Sequence, residues 1–145
     1  MDFNSRVEAA AASISGAVNY LRTAGYYAYG DGGDALYART TATTPGGFQS
    51  ADGAWWRIAL SGPANILAFG AVPGDTTKAA INQTAFTDAF GASASVLAPV
   101  GTFHVQSIAP PSTARRLQLD ADLVRVEPIA DRWALSRFNP TGLAL

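Results

Sequence analysis

A mainly β chain with a helix at its N-terminus is what this sequence predicts, on three observations. Strand-like runs recur at intervals of roughly ten residues between turns rich in Gly and Pro, a habit of all-β chains. No Asp, Glu, Lys or Arg falls between Asp88 and Arg115. Gly91, Pro99, Gly101, Pro110 and Pro111 interrupt that stretch too often for a membrane-spanning helix, so it reads as buried β structure. Residues 4–21 hold the longest helical period, and a second helix is expected from about Lys78 to Phe90.

That period is a seven-residue one. Val7, Ala11, Ile14, Val18 and Leu21 are spaced four, three, four, three, which makes a narrow apolar stripe like a coiled-coil seam. Val7, Ile14 and Leu21 would take one core position, and Asn4, Ala11 and Val18 the other, with Asn4 also a candidate helix cap. Gly16 inside the helix costs about 1 kcal/mol relative to Ala, so an isolated helix of this length would be marginal. It is expected either to lie on its own domain or to self-associate as a short parallel coiled coil.

From Thr23 the period changes to two. Gly25 to Tyr29 is aromatic and strand-like, Gly30-Asp31-Gly32-Gly33 is a turn, and Ala35 to Arg39 resumes the alternation. Phe48–Ala51 and Ala54–Leu60 flank Asp52-Gly53, a hairpin signal of the type I′ kind. Trp55 and Trp56 are neighbours on a strand and must face opposite sides. Asn65–Ala71 is a short apolar strand, and Thr76-Thr77 can cap a helix from about Lys78 to Phe90, ended by Gly91. Strands are then expected at Ser95–Leu97, Thr102–Val105, Arg116–Leu119, Leu123–Val126 and Trp133–Leu135.

Composition narrows the function. Charged residues make up 14% of the 145, against about 25% in ordinary chains. Alanine (29), glycine (14) and proline (8) fill their place, and small residues suit closely packed backbones. Residues 1–60 hold nine charges, 61–110 three and 111–145 nine. A formal net charge of -1 gives no basic field for nucleic acid or for an anionic membrane. The absence of cysteine removes disulfides, thiolate nucleophiles and cysteine-based metal sites, and His104 is the lone histidine; no metal and no cofactor is expected. The start, Met1-Asp2-Phe3-Asn4, lacks the features of a Sec signal, so synthesis and retention in the cytoplasm, or incorporation into a particle, are expected.

Two stretches resemble the N-terminal parts of bacteriophage tailspikes and prophage proteins built on a right-handed parallel β-helix of the pectate-lyase type. One comprises Arg22-Thr23-Ala24-Gly25-Tyr26-Tyr27 through Gly30-Asp31-Gly32-Gly33 to Ala35-Leu36-Tyr37, with Gln49-Ser50-Ala51-Asp52-Gly53-Ala54-Trp55-Trp56. It looks like the small β module such proteins carry ahead of the β-helix. The other comprises Phe69-Gly70-Ala71, Gly74-Asp75, the helix to Phe90, and Pro99-Val100-Gly101-Thr102-Phe103. It is similar to the segment that opens the β-helix, where a helix caps the first coil. The family usually has two acidic residues after the Gly-Asp turn, where this chain has Asp75-Thr76-Thr77. With the sequence running to Leu145, at most two or three coils are expected beyond the lid. The resemblance therefore implies three regions: an anchoring and trimerisation helix (1–22), a small antiparallel β module (23–62), and a truncated β-helix-like or interlocked β segment with a capping helix (63–145).

Catalytic groups are weighed against structural ones. Similar spikes cleave polysaccharide with paired carboxylates on later coils or between subunits. Asp120 and Asp122, two apart on one strand face, read better as a solvated edge. Asp31 and Asp34 could hold a cation through oxygen, yet a side-chain-capped turn accounts for them. His104 has no evident serine or acid partner. No catalytic residue is therefore assigned.

What the resemblance implies is a structural virion protein: a short tail-fibre or spike subunit, or its anchoring stub. It would be made in the bacterial host cytoplasm and assembled as a homotrimer through Val7, Ala11, Ile14, Val18, Leu21, Tyr27, Trp55 and Trp56. Its further partners would be a baseplate, portal or capsid vertex, another fibre protein, and a host-surface polysaccharide. Alternatives are a carbohydrate-binding module using Tyr26, Tyr29 and Tyr37, or the remnant of a polysaccharide depolymerase.

Overall fold

A computed structural model describes residues 1–107 and 116–126, with the backbone of 137–138. Five strands form the first sheet: β1 (Asp2–Phe3), β2 (Tyr20–Thr23), β3 (Ala35–Thr40), β4 (Phe48–Gln49) and β5 (Trp55–Ile58), in the order β1-β2-β3-β5-β4. All pairings are antiparallel except β1 with β2. The period-two alternation of these strands sends Leu21, Thr23, Tyr37, Phe48, Trp56 and Ile58 inward and leaves Tyr20, Arg22, Leu36, Gln49 and Arg57 exposed.

The helix expected over 4–21 is replaced by helix α1 (Arg6–Ala11), a link, and strand β2. Ser5, not Asn4, caps α1 by accepting the Glu8 N–H at 3.1 Å, and the Glu8 carboxylate reaches back to the Asn4 N–H at 2.9 Å. Ala12 is extended. Beyond it the backbone finds better partners than its own turns: Ile14 N–H donates to Asp52, and the carbonyls of Ile14, Ser15 and Val18 accept from Arg39. The apolar stripe therefore never forms one face. Val7 is 50% exposed and Ala11 is exposed, while Ile14 and Leu21 are buried in the core of this same chain and Val18 is half-buried. Residues 1–22 and 23–62 thus build one sheet together.

The hairpin at Asp52-Gly53 exists, with a longer turn than the two-residue kind. Ser50 N–H meets the Ala54 carbonyl at 3.0 Å, enclosing Ala51, Asp52 and Gly53, and Gly53 takes φ 84°. Three-residue hairpin loops place glycine in that left-handed position.

After this sheet come β6 (Ala64–Asn65), a 3-10 turn (Ile66–Phe69), a second 3-10 turn (Thr76–Lys78), helix α2 (Ala79–Ala92), β7 (Ser95–Ala98), β8 (Thr102–Val105), β9 (Arg116–Leu119), β10 (Asp122–Arg125) and β11 (Arg137–Phe138). The apolar strand expected over 65–71 is thus mostly a 3-10 turn, begun by Asn65 accepting the Leu67 N–H and ended at Gly70. Asp75 caps the second turn, and α2 runs through Gly91 to end at Ala92. The strand expected at Trp133–Leu135 lies outside the described residues.

Strands β6, β7 and β9 form one parallel ladder and β8 with β10 another. Val96 pairs with Leu117, twenty-one residues on, and Phe103 with Leu123, twenty on. Each coil makes its corner in a few residues, Pro99–Gly101 in one and Asp120–Ala121 in the next, and the corners are also bonded (Asp120 N–H to Ala98 carbonyl and Asp122 N–H to Gly101 carbonyl, both 2.9 Å). Such stacking is the arrangement of a parallel β-helix, covering part of this chain. β11 runs antiparallel to β10.

The first strand of the second ladder has an open edge, and α2 with the loop before it closes that edge. Carbonyls of Thr102 and His104 point away from β10; the Gly74 N–H bonds the first at 2.8 Å and the Asn82 amide the second at 2.8 Å. Asn82 is fully buried and also grips Val72, accepting its N–H at 2.7 Å and donating to its carbonyl at 3.0 Å. Ala85, Phe86, Ala89 and Phe90 on the same helix enter a core shared with Trp56, Tyr37, Phe103 and Val96. Replacing Asn82 with Leu is expected to lower stability by about 3 kcal/mol in urea unfolding, since buried groups of Val72 and His104 lose their partners.

Candidate functional site

The tyrosine-rich loop between β2 and β3 is tied by a carboxylate. Gly25–Tyr29 does not form the expected strand; Asp31 accepts the backbone N–H groups of Tyr26, Tyr27, Ala28 and Gly33 at 2.8–3.1 Å. Burial alone would push its carboxyl up, but these four bonds outweigh burial and hold it below the usual range. Its oxygens are committed to the fold, as a capped turn requires. Within the loop Tyr26 and Tyr27 rings lie 4.6 Å apart, and the Tyr27 hydroxyl donates to the Gly70 carbonyl at 3.0 Å. The loop thereby joins the antiparallel sheet to the parallel part of the chain.

Two arginines lock the sheet from within. Arg6 donates to the Gly47 carbonyl at 2.7 Å and lies over the Tyr26 and Phe48 rings at 4.7 and 5.2 Å. Arg39 lies 4.6 Å from the Trp56 ring centre while binding the carbonyls of residues 14, 15 and 18. Its neighbour Asp52 accepts the Ser50 hydroxyl at 2.7 Å and the Ile14 N–H at 3.1 Å; those bonds hold its carboxyl below the usual range.

This packing redistributes the residues singled out by the sequence. Tyr37 is completely buried, and burial pushes its phenol up, so it offers no surface to a glycan. Trp56 is likewise internal, its indole N–H donating to Ser50 Oγ at 2.9 Å, and it joins Ile14 and Leu21 in the core rather than at a subunit contact. Trp55 takes the opposite face and is half-buried. Tyr26 is half-buried, Tyr27 is exposed and Tyr29 is 77% exposed. Asp120 lies in the turn between β9 and β10, not on a strand face with Asp122, and accepts the Gln118 amide at 3.2 Å. The His104 side chain is half-buried with Nδ1 unpaired. Among the described residues no three of Asp, Glu and His gather into a metal-binding group.

Sequence reading missed Tyr20, which is 61% exposed on the outer face of the first sheet, in a row with Ala38 and Arg57. The signal was present in Tyr20-Leu21-Arg22-Thr23, which alternates exposed and buried positions; the seven-residue stripe claimed Leu21 first.

Comparison with known proteins agrees on fold. No protein-family model matches the chain, and no curated protein matches it. Among solved structures it is similar to Pantoea stewartii WceF, described as a glycan biofilm modifying enzyme with a bacteriophage tailspike-like parallel β-helix fold. The TM-score is 0.55 and the identity 18%, over 72% of this chain and 17% of that one. The chain thus spans 17% of that neighbour's length. The likeness is one of fold: mainly β, in part a tailspike-like parallel β-helix.

An Asp31→Ala change is expected to speed hydrogen exchange at Tyr26, Tyr27, Ala28 and Gly33 by roughly tenfold. Because the folded carboxyl is held below its ordinary value, the protection it gives is complete above about pH 4 and is lost as pH falls further. Exchange in the parent protein should therefore approach that of the variant only at the acid end.

Proposed function

We propose that this chain is a structural part of a virion. It would be the module of a phage spike or tail fibre that opens the β-helix and links it to the particle, with the receptor-binding fibre or host surface on the other side. The observation that carries the reading is the pair of parallel ladders, stepping by twenty and twenty-one residues, with α2 closing the first open edge. The fold likeness to a protein with a tailspike-like β-helix supports it. Its role in this reading is mechanical and adhesive, and the chain works as a homotrimer alongside baseplate, portal or vertex proteins.

With Ile14, Leu21 and Trp56 inside the protomer, the subunit contact falls to what remains outside. Tyr20 and Trp55 on the outer sheet face, with Val7 and Tyr27, are among the apolar groups available to it. Adhesion by such a module needs area and rigidity rather than a nucleophile, and a sheet braced from behind by two arginines lying over Phe48 and Trp56 supplies a rigid face.

Mass measurement in solution at micromolar concentration is expected to give three times the 15.0 kDa protomer. Tyr20→Asp should reduce it to the protomer without altering the circular dichroism spectrum. A parent protein that stays monomeric would sink the trimer, and turnover of purified capsular polysaccharide by this chain alone would sink the structural role.

A further inference from the structure

Arg6 is clamped from more than one side. Its Nη2 donates to the Gly47 carbonyl at 2.7 Å, and its guanidinium carbon lies 4.7 Å from the Tyr26 ring centre and 5.2 Å from that of Phe48. Tyr37 is fixed as firmly on another element. It is completely buried, stands edge-on to Phe48 with ring centres 5.1 Å apart, and is set in register by β2 on one side and β5 on the other. The two residues meet over Phe48, where burial raises the Tyr37 phenol and the Arg6 guanidinium opposes the rise. They do not bond. Among the described residues, Arg6 Nε and Tyr37 Oη are both enclosed and neither has a hydrogen-bond partner.

Buried polar atoms in folded chains are nearly always partnered, by protein or by ordered water. Neither of these two can move to close the gap itself. Shifting Arg6 would break its bond to Gly47 and lift it from two rings, and shifting Tyr37 would displace Phe48, which is itself stacked on Trp56 with ring centres 6.5 Å apart. A third atom, Thr44 Oγ1, is also enclosed and unpaired, on the loop that carries Gly47; a Cβ on that glycine would lie 2.7 Å from it. Unpaired polar lining is thus contributed by α1, by β3 and by the loop before β4.

We propose that an internal water molecule is bound between Arg6 and Tyr37. The guest must accept from Nε–H, which can only donate, and must pair with a phenol hydroxyl, which does either. Water does both, and buried waters typically hold two to four such partners. Charge argues against an ion of similar size. A cation would meet the guanidinium directly. An anion would be drawn to it, but Asp88 on α2 already shares that field: burial raises the Asp88 carboxyl and the same guanidinium draws it back, without closing an ion pair. With its charge answered from α2, Arg6 keeps a donor for a neutral guest. The water would complete the joint between α1 and β3 where protein atoms alone leave it open. It lies inside one protomer, so it stands or falls apart from the trimer.

The test joins NMR magnetisation transfer from water, read at the Arg6 Nε–H of the intact chain, with a crystal structure grown in bromide. A water cross-peak with the sign of slow, protein-like tumbling is expected at that proton. Tyr37→Phe, which keeps the ring and removes Oη, should abolish the cross-peak and speed Nε–H exchange by about tenfold. Tyr20→Phe, on the exposed outer face, should change neither. The crystal should show one peak of density within about 3.2 Å of both atoms, without anomalous signal. If Tyr37→Phe does not fold, the cross-peak and the density of the parent protein decide the matter. The proposal is overturned by an Nε–H with no water cross-peak, by a cross-peak that survives Tyr37→Phe, or by a direct Nε–Oη hydrogen bond in the crystal. A cross-peak without density overturns it too, since exchange of the Tyr37 hydroxyl proton would then carry the signal. An anomalous bromide peak would make the site an anion site instead.

Discussion

The carbonyls of Thr102 and His104 point out of the first strand of a parallel ladder, toward a side where no earlier coil exists. Any stack of β coils begins with such an edge, and leaving it bare invites pairing with another chain. Here the Gly74 amide takes one carbonyl and the buried Asn82 side chain takes the other. Asn82 also brackets Val72 through both its oxygen and its nitrogen, so rotating or sliding α2 by one residue would strand three buried polar groups at once. The helix is thereby held in a single register, which aims Phe86 and Phe90 at the core. Bulk hydrophobicity alone would not choose between neighbouring registers on a helix this rich in alanine.

Close approach explains the small residues. A Cβ at Gly70 would sit 2.7 Å from the Tyr26 ring, and one at Gly33 would sit 2.6 Å from the Leu67 carbonyl. These two glycines let the Asp31-tied loop lie directly on the 3-10 turn after β6, so that the antiparallel sheet and the parallel ladders share one core. Gly70 has a second reason to be glycine, since its φ of 94° ends that turn in the left-handed region. The low charge that stands out in the composition is in this light partly interior: backbone touches backbone at the seam between the two parts, and small uncharged side chains permit it.

Elements whose pattern is set by local chemistry were legible in the sequence. Strands β3, β5, β7, β8 and β9 sit close to where alternation placed them, and Trp55 and Trp56 divide between faces as neighbours on a strand must. Failures fall where a side chain, near or distant in sequence, outbids the local backbone. The seven-residue stripe over 4–21 is real as a pattern, but Arg39 and Asp52 take the backbone of residues 14–18 and convert the second half to a link and a strand. Asp31 does the same to the tyrosine run. Of the candidate site residues, Tyr29 was readable as an exposed aromatic. Tyr37 was not readable as buried, because its burial depends on Phe48 and Trp56 arriving from later strands. Asp2, Arg22 and Asp34 gave no motif at all, since only the β1–β2–β3 pairing brings them together.

Charge in this chain divides by use. Of the nine charged residues in the first sixty, Arg6, Glu8, Asp31, Arg39 and Asp52 bond to backbone groups or carbonyls and fix loops. Asp2, Arg22, Asp34 and Arg57 make no such bond among the described residues. Scattered at random over the sheet, four idle charges would signify nothing beyond solubility. Three of them line one pair of adjoining clefts, and the fourth, Arg57, stands on the same outer sheet face. Arg6 and Arg39 spend their guanidinium groups on carbonyls and inward rings, whereas Arg22 and Arg57 stand on the outer side of the sheet.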